Sequence, residues 1–307
     1  MSNLIETIER SSTSGEEEST RRSAAASTAA GADRPQAPVK IIQRRTGWIP
    51  IDWAELVEYR ELLLFLTWRD IKVRYKQTVL GVAWTVLQPV LTMVVFSVLF
   101  GQIAQIPTEG LPYPVFVYAA LLPWTFFANG INLSGTSLVN SAHLITKIYF
   151  PRVLVPCASI GAGLIDLFVS FGVLACLMLY YGVAPPVLVL LTPVLMVLTV
   201  AAALGVGFWL SALSVGYRDF RYVIPFLVQI WMFCSPVIYP VSFVPERWQW
   251  LLALNPMTGI ISGYRGALLG QAMSWGQLGV SAAATALVFG GGLAYFRRVE
   301  RRFADIA

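Results

Sequence analysis

Few residues in this chain have the types and spacing for acid–base or metal chemistry. Between Gln77 and Phe296 the only carboxylates are Glu109, Asp166, Asp219 and Glu246, and His143 is the single histidine. Hydrolysis or group transfer needs paired acids, or a base beside a nucleophile, and this set offers neither arrangement. The Walker pattern G-x-x-x-x-G-K-[ST], whose backbone amides cradle phosphates, is absent from the sequence. Cys157, Cys176 and Cys234 stand apart in apolar runs without metal-type spacing, and are expected to be small buried apolar residues. An intramembrane enzyme, such as a glycosyltransferase or lipid phosphatase, is therefore the weakest reading of the chain.

Other residues suit binding rather than catalysis. Asp166 lies in mid-run in "SIGAGLIDLFVSFGV", where an ionisable group is costly unless it faces protein or water. It is either part of a polar pore wall or a packing hydrogen-bond partner. No basic residue falls at matching depth, which favours packing. Trp124 and Trp231 also sit near the centres of apolar runs, whereas tryptophan commonly prefers membrane interfaces, as expected for Trp48 and Trp84. Such rings either pack a helix bundle or present flat apolar faces, which suit the C–H faces of sugars. Arg69, Lys72, Arg74 and Lys76 form a cationic cluster, after which no charge occurs until Glu109. The cluster anchors topology, and could also attract an anionic lipid headgroup. In "NSAHLITKIYFPR", residues 140–152, Asn140 or Ser141 can cap a short helix that Pro151 ends. That helix is either a connector or a handle for a partner.

The elements that must position these residues are helices in lipid. The 307 residues are 56% hydrophobic and only 13% charged, with a mean hydropathy of +0.65; globular chains average about 25% charged. Six apolar runs, roughly 79–103, 114–137, 153–182, 185–213, 222–241 and 277–296, each reach the length of about 20 residues that crosses a bilayer. "GVAPPV" separates the third and fourth by a tight turn. Between the fifth and sixth, the aromatic stretch 242–276 is broken by Pro245 and Pro256, so two short helices are expected there, at or dipping into one face. Before the first run, Asp52 and Glu55 form a capping-box start, and Trp53, Leu56, Tyr59, Leu63 and Leu66 fall on one face. This amphipathic helix is expected to lie on the membrane surface. Residues 1–48 are rich in Ser, Thr, Ala, Glu and Arg and are expected to be a disordered cytoplasmic tail, without a signal peptide.

Charge sets the orientation. Twelve basic residues lie at one set of run ends: Arg69, Lys72, Arg74, Lys76, Lys147, Arg152, Arg218, Arg221, Arg297, Arg298, Arg301 and Arg302. The other set holds Arg247 and Arg265. Loops rich in Lys and Arg stay cytoplasmic, so both termini are placed inside. The net charge of +5, distributed this way, suits anionic lipids rather than nucleic acid. The expected fold is an all-α membrane domain over 49–307, with six transmembrane helices, an N-terminal interfacial helix and two short re-entrant helices between spans five and six.

Four ordered blocks then carry a family likeness. "RDIKVRYKQTVLGVAWTVLQPVL", "ALLPWTFFANGINLSGTSLVNSAHLITKIYFPRVLVP", "LSVGYRDFRYVIPFLVQIWMFCSPVIYP" and "LNPMTGIISGYRGALLG" resemble the permease subunits of ABC transporters that export polysaccharide, of the O-antigen, capsule and teichoic acid type. The resemblance covers about 50–307 and implies a non-catalytic inner-membrane homodimer that moves a lipid-linked glycan, O-antigen foremost. It implies two copies of a soluble ATPase subunit that hold ATP and Mg, with no cofactor bound by the permease itself. Ser141, His143, Leu144, Lys147, Ile148 and Tyr149 would then form the ATPase-coupling segment. Arg69, Lys72, Arg74 and Lys76 would receive the substrate headgroup; Trp124, Asp166 and Trp231 are channel candidates; Trp248, Trp250 and Tyr264 would belong to an outer gate. The alternatives are a permease for a small amphiphile such as a drug and, outside ATP-driven transport, a passive channel.

Overall fold

The computed structural model describes residues 57–76, 81–147 and 150–300. The expected tail, Trp48, the capping-box pair Asp52 and Glu55, the coupling residues Ile148 and Tyr149, and Arg301 and Arg302 lie outside them. Among the described residues there is no strand. The helices are α1 (Arg60–Tyr75), α2 (Gly81–Phe96, continued by a π-helical stretch Ser97–Ile103), α3 (Tyr113–Asn140), α4 (Ala142–Ile145), α5 (Leu154–Ala162), α6 (Leu164–Tyr181), α7 (Thr192–Gly216), α8 (Phe220–Phe233), α9 (Glu246–Ala253), α10 (Pro256–Leu269) and α11 (Trp275–Glu300).

Helix α3 is the axis of the bundle. It is buried along most of its length, with α2, α5, α6, α7, α8 and α10 packed around it. The pairing of α7 with α11 is as extensive as that of α3 with α7. Its closeness comes from glycine. A Cβ on Gly292 would lie 2.2 Å from the Gly205 carbonyl oxygen, and one on Gly205 would lie 2.7 Å from the Phe289 amide nitrogen. Backbone contact of this kind is available only to small residues. Gly292→Leu is therefore expected to lower the detergent-solubilised melting temperature and yield by overpacking worth about 1–3 kcal/mol. Gly290→Leu, on the same helix with open space around its Cβ, should leave both unchanged. A thermal shift assay on the pair checks this.

Among the described residues, five helical stretches are long and apolar enough to cross a membrane: Ala83–Ile103, Tyr113–Asn140, Leu154–Tyr181, Val187–Gly216 and Trp275–Glu300. The turn expected at "GVAPPV" is present: Gly182 ends α6 in the left-handed region at φ +68°, which glycine adopts without a Cβ penalty. The fifth apolar run behaves differently. Its helix stops at Phe233 after 14 residues, because Pro236 can donate no amide hydrogen and disfavours helix at Ser235 before it.

Residues 234–240 are consequently irregular and largely buried. Their carbonyls are satisfied from other elements: Asn255 Nδ2 donates to Cys234 O at 3.3 Å, the Tyr113 hydroxyl to Ile238 O at 2.9 Å, and Arg265 to Val237 O at 2.8 Å and Tyr239 O at 3.3 Å. Arg265 is thus a buried tie, 2% exposed, and not the free outer-face charge that the sequence suggested.

Of the cationic cluster, Arg69, Lys72 and Arg74 lie in the last turns of α1, which runs to Tyr75 and packs on α5, and Lys76 is its C-cap. The cysteines are corrected too. Cys176 and Cys234 are exposed on the protein surface and Cys157 is partly so, since an apolar side chain on a membrane helix has no need of a protein neighbour when lipid covers it.

Candidate functional site

A cavity of about 800 Å³ opens between α2, α3 and the α5–α6 pair, with Arg74 and Tyr75 of α1 at its edge. Polar residues at helical spacing line it from three sides. Thr125, Asn129 and Asn132 come from α3, Thr85, Gln88 and Thr92 from α2, and Ser159, Asp166 and Ser170 from α5–α6. Spacings of three or four within α2 and α3, and of seven and four along α5–α6, place each set toward the cavity, so three polar stripes on otherwise apolar helices converge on one space. The α3 stripe continues beyond the cavity through Thr136, whose hydroxyl donates to Asn132 O at 3.1 Å, and Asn140, whose amide reaches the Thr136 hydroxyl at 3.5 Å. Trp84 and Trp124 add ring surface. Asn132 keeps a buried side-chain oxygen without a protein partner, an acceptor available to something within the cavity.

Asp166 lies at the base of this space in the first turn of α6, where the helix dipole favours negative charge. It is ion-paired to Arg74, and the Tyr75 hydroxyl donates to its other oxygen. Burial, followed by the Asp166 carboxylate, pushes the Tyr75 phenol above its ordinary pKa, which keeps that hydroxyl a donor. The sequence places no basic residue at matching depth for Asp166, yet the structure pairs it with one. The partner comes from α1, 92 residues earlier. A parallel tie lies one turn back along α1: Asp70 binds the Arg69 guanidinium at 2.8 Å and accepts from the Ser159 hydroxyl at 3.4 Å.

The other expected site residues separate. Of the four cluster cations only Arg74 lines the cavity; Arg69 is taken by Asp70, Lys72 lies 5.6 Å over the Trp68 ring, and Lys76 is exposed. Trp124 lines the cavity but Trp231 does not. The Trp231 indole donates to Asn255 Oδ1 at 3.0 Å and meets the Phe127 ring edge-on at 5.1 Å, so it joins α8 to the start of α10. Trp248 and Trp250 are exposed, 51% and 61%, whereas Tyr264 is fully buried, 6.1 Å from the Phe171 ring; the three do not form one group. In the 140–152 segment, the helix is a single turn, α4. Ser141 is buried and makes no side-chain cap. His143 and Lys147 are exposed and Leu144 is half-buried.

Gln88, Asn129 and Asn132 are the residues that sequence reasoning passed over, and Trp84, expected only at a membrane interface, also lines the cavity. The signal was there: Thr125, Asn129, Asn132, Thr136 and Asn140 recur every three or four residues, a polar stripe at helical period inside a spanning run.

Residues 61–269 match the family described as ABC-2 type transporter. The chain is 31% identical over 214 residues to an O-antigen export system permease protein RfbA of Myxococcus xanthus, covering 69% of this chain and 81% of that protein. It is 26% identical over 247 residues to a protein of the same name from Klebsiella pneumoniae, covering 80% and 95%. It is 25% identical over 243 residues to the polysialic acid transport protein KpsM of Escherichia coli, covering 77% and 92%.

Proposed function

Because this chain belongs to the ABC-2 type transporter family and is a multi-pass membrane protein, we propose that it is the permease of a polysaccharide exporter, with O-antigen as cargo. The role is transport rather than catalysis. The observation that carries the reading is the cavity in which three polar stripes meet among apolar helices. Lipid alone would favour apolar residues on those faces, whereas a chain of sugars needs hydroxyl and amide partners with ring faces between them. The substrate class comes from the O-antigen and polysialic acid names of its relatives.

In this reading two copies of the chain in the inner membrane bring their cavities together around a lipid-linked glycan, and two copies of a soluble ATPase supply the energy. Both termini are cytoplasmic and the crossings number six. Helix α8 makes the additional crossing: 14 residues at about 1.5 Å each cover about 21 Å, and the buried irregular run 234–240 continues the path. Non-helical backbone is tolerated at membrane depth where protein satisfies it, and Asn255, Tyr113 and Arg265 do so here. Helix α1, with Leu64, Phe65 and Trp68 exposed, lies at the cytoplasmic interface. The short α9 and α10 dip from the outer face, with Trp248 and Trp250 at the gate and Tyr264 buried apart from them against Phe171. His143, Leu144 and Lys147 dock on the ATPase. Arg74, at the cavity edge, meets the anionic headgroup of the incoming lipid.

Complementation tests the function. A strain lacking this gene should accumulate lipid-linked glycan at the inner face and lose surface polysaccharide; undiminished surface display would refute the reading. The cavity is tested separately. Asn129→Leu with Asn132→Leu should leave expression and melting temperature within experimental error, since neither amide supports the fold, while surface polysaccharide falls about tenfold, the loss expected for one or two unmade hydrogen bonds at about 0.5–1.5 kcal/mol each. Wild-type display from the double variant would remove the cavity from the path.

A further inference from the structure

The return of the 142–147 loop into the membrane domain is fastened to a helix far away in sequence. The Arg152 backbone amide donates to Glu300 Oε1 at 3.0 Å, and Arg152 Nη1 donates to the Glu300 carbonyl oxygen at 3.2 Å. The other Glu300 carboxylate oxygen pairs with Arg297 Nη1 at 3.4 Å. The side chains of Arg297 and Glu300 are only 23% and 18% exposed, so solvent screens this group less than it would an open surface pair.

The surroundings are rigid on both sides of the tie. Phe150 and Val153, which flank it, are 7% and 3% exposed. One turn back from Glu300, Phe296 is fully buried and its ring lies 5.6 Å from that of Phe208 on α7. Further along, α11 meets α7 at the Gly205–Gly292 backbone contact. The loop continues from α3, and among the described residues its return toward α5 is tied through Glu300 to α11 and so to the α11–α7 pair.

We propose that Glu300 is a positioning residue for transport: through Arg152 it makes the last span move with the ATPase-docking loop. The inference rests on the reading that His143, Leu144 and Lys147 contact the ATPase. Without the tie, a push on the loop would reach α7 and α11 only indirectly, through the packing of α3 and α5 on α7, and the cytoplasmic end of α11 would lag. ATP would still be hydrolysed, because the loop would still dock, but the stroke would be lost before it reached the whole domain.

The test uses the full permease–ATPase complex. Glu300→Ala should preserve complex assembly and ATP hydrolysis within about twofold, while surface polysaccharide in a complemented deletion strain falls about tenfold, within the range for one coupling contact. Glu300→Gln retains an oxygen for the Arg152 amide and should keep at least half of wild-type display. Wild-type display from Glu300→Ala, or equal failure of the alanine and glutamine variants, overturns the proposal. If Glu300→Ala does not fold, spin labels at the exposed positions 147 and 298 of the otherwise intact, cysteine-replaced complex give the answer. Their separation should stay constant between ATP-free and ATP-trapped states, and a change of several ångströms overturns the proposal. A cysteine at 143 that fails to crosslink to the ATPase would sink the docking reading beneath it, whereas crosslinking together with normal display in Glu300→Ala would sink only the role of Glu300.

Discussion

Arg265→Met is expected to produce the largest loss of folded protein of any single substitution considered for this chain. Arg265 is 2% exposed, and its guanidinium carbon stands 3.6 Å from the centroid of the Phe116 ring, inside cation–π range. No carboxylate pairs with it among the described residues. Its hydrogens go instead to the carbonyls of Val237, Tyr239 and Phe116, at 2.8, 3.3 and 3.4 Å. Phe116 lies in a helix, but Val237 and Tyr239 belong to the irregular run that Pro236 and Pro240 prevent from becoming helical.

Methionine fills part of the volume and satisfies neither of those carbonyls. Each buried polar group left without a partner costs about 1–3 kcal/mol, so the two together cost about 4 kcal/mol before lost packing is counted. That is a large fraction of the 5–15 kcal/mol typical of a folded domain. Arg265→Lys can reach one carbonyl at a time and should fall between the two. Fluorescence-detected size exclusion in detergent reads the result: a monodisperse Arg265→Met protein at wild-type yield would show that the 234–240 run stands without its tie.

The same residue shows where the sequence speaks and where it does not. Apolar length is a local property, so the long runs, the turn at Gly182 and the two short helices split by Pro256 were legible. Charge asymmetry is local as well, but it counts charges without asking where they point. Arg265 and Arg247 were both tallied as outer charges, yet Arg265 is spent on carbonyls inside the protein, while Arg247 stays by the Trp248 ring at 6.0 Å. The fifth run was misread in length because a hydropathy window averages over proline, whereas the backbone responds to each one. Asp166 was misjudged for another reason: its partner lies on α1, and nothing in either segment announces that α1 folds over the start of α6. The polar stripe on α3 was present in plain periodicity and was hidden only by the apolar residues between its members.

The Arg74–Asp166 pair separates stability from transport more sharply than any other position. Its side chains are 25% and 17% exposed, so the pair is neither a free surface bridge, worth about 0–1 kcal/mol, nor a fully buried one. Asp166→Ala strands the Arg74 guanidinium at the cavity edge and deprives the Tyr75 hydroxyl of its acceptor. The cost expected is about 2 kcal/mol, below the 3–5 kcal/mol of a fully buried broken pair. Removing both charges should behave differently, because apolar replacements for a shielded pair are often neutral or stabilising. Arg74→Met with Asp166→Leu should therefore recover most of the wild-type melting temperature, short of what the Tyr75 hydroxyl loses with its acceptor.

Transport should not recover with it. If Arg74 meets an anionic headgroup, the stable double variant still lacks the cation and should display about tenfold less surface polysaccharide, a loss of about 1.4 kcal/mol at that step and modest for a charge-assisted contact. Arg74→Lys, which keeps the charge and loses the planar fork, should fall between. A double variant that is as stable as wild type and exports as well would assign the pair to tethering α1 alone. A double variant that stays unstable would mean that the ion pair fixes the geometry of α1 on α6 in a way that apolar packing cannot replace.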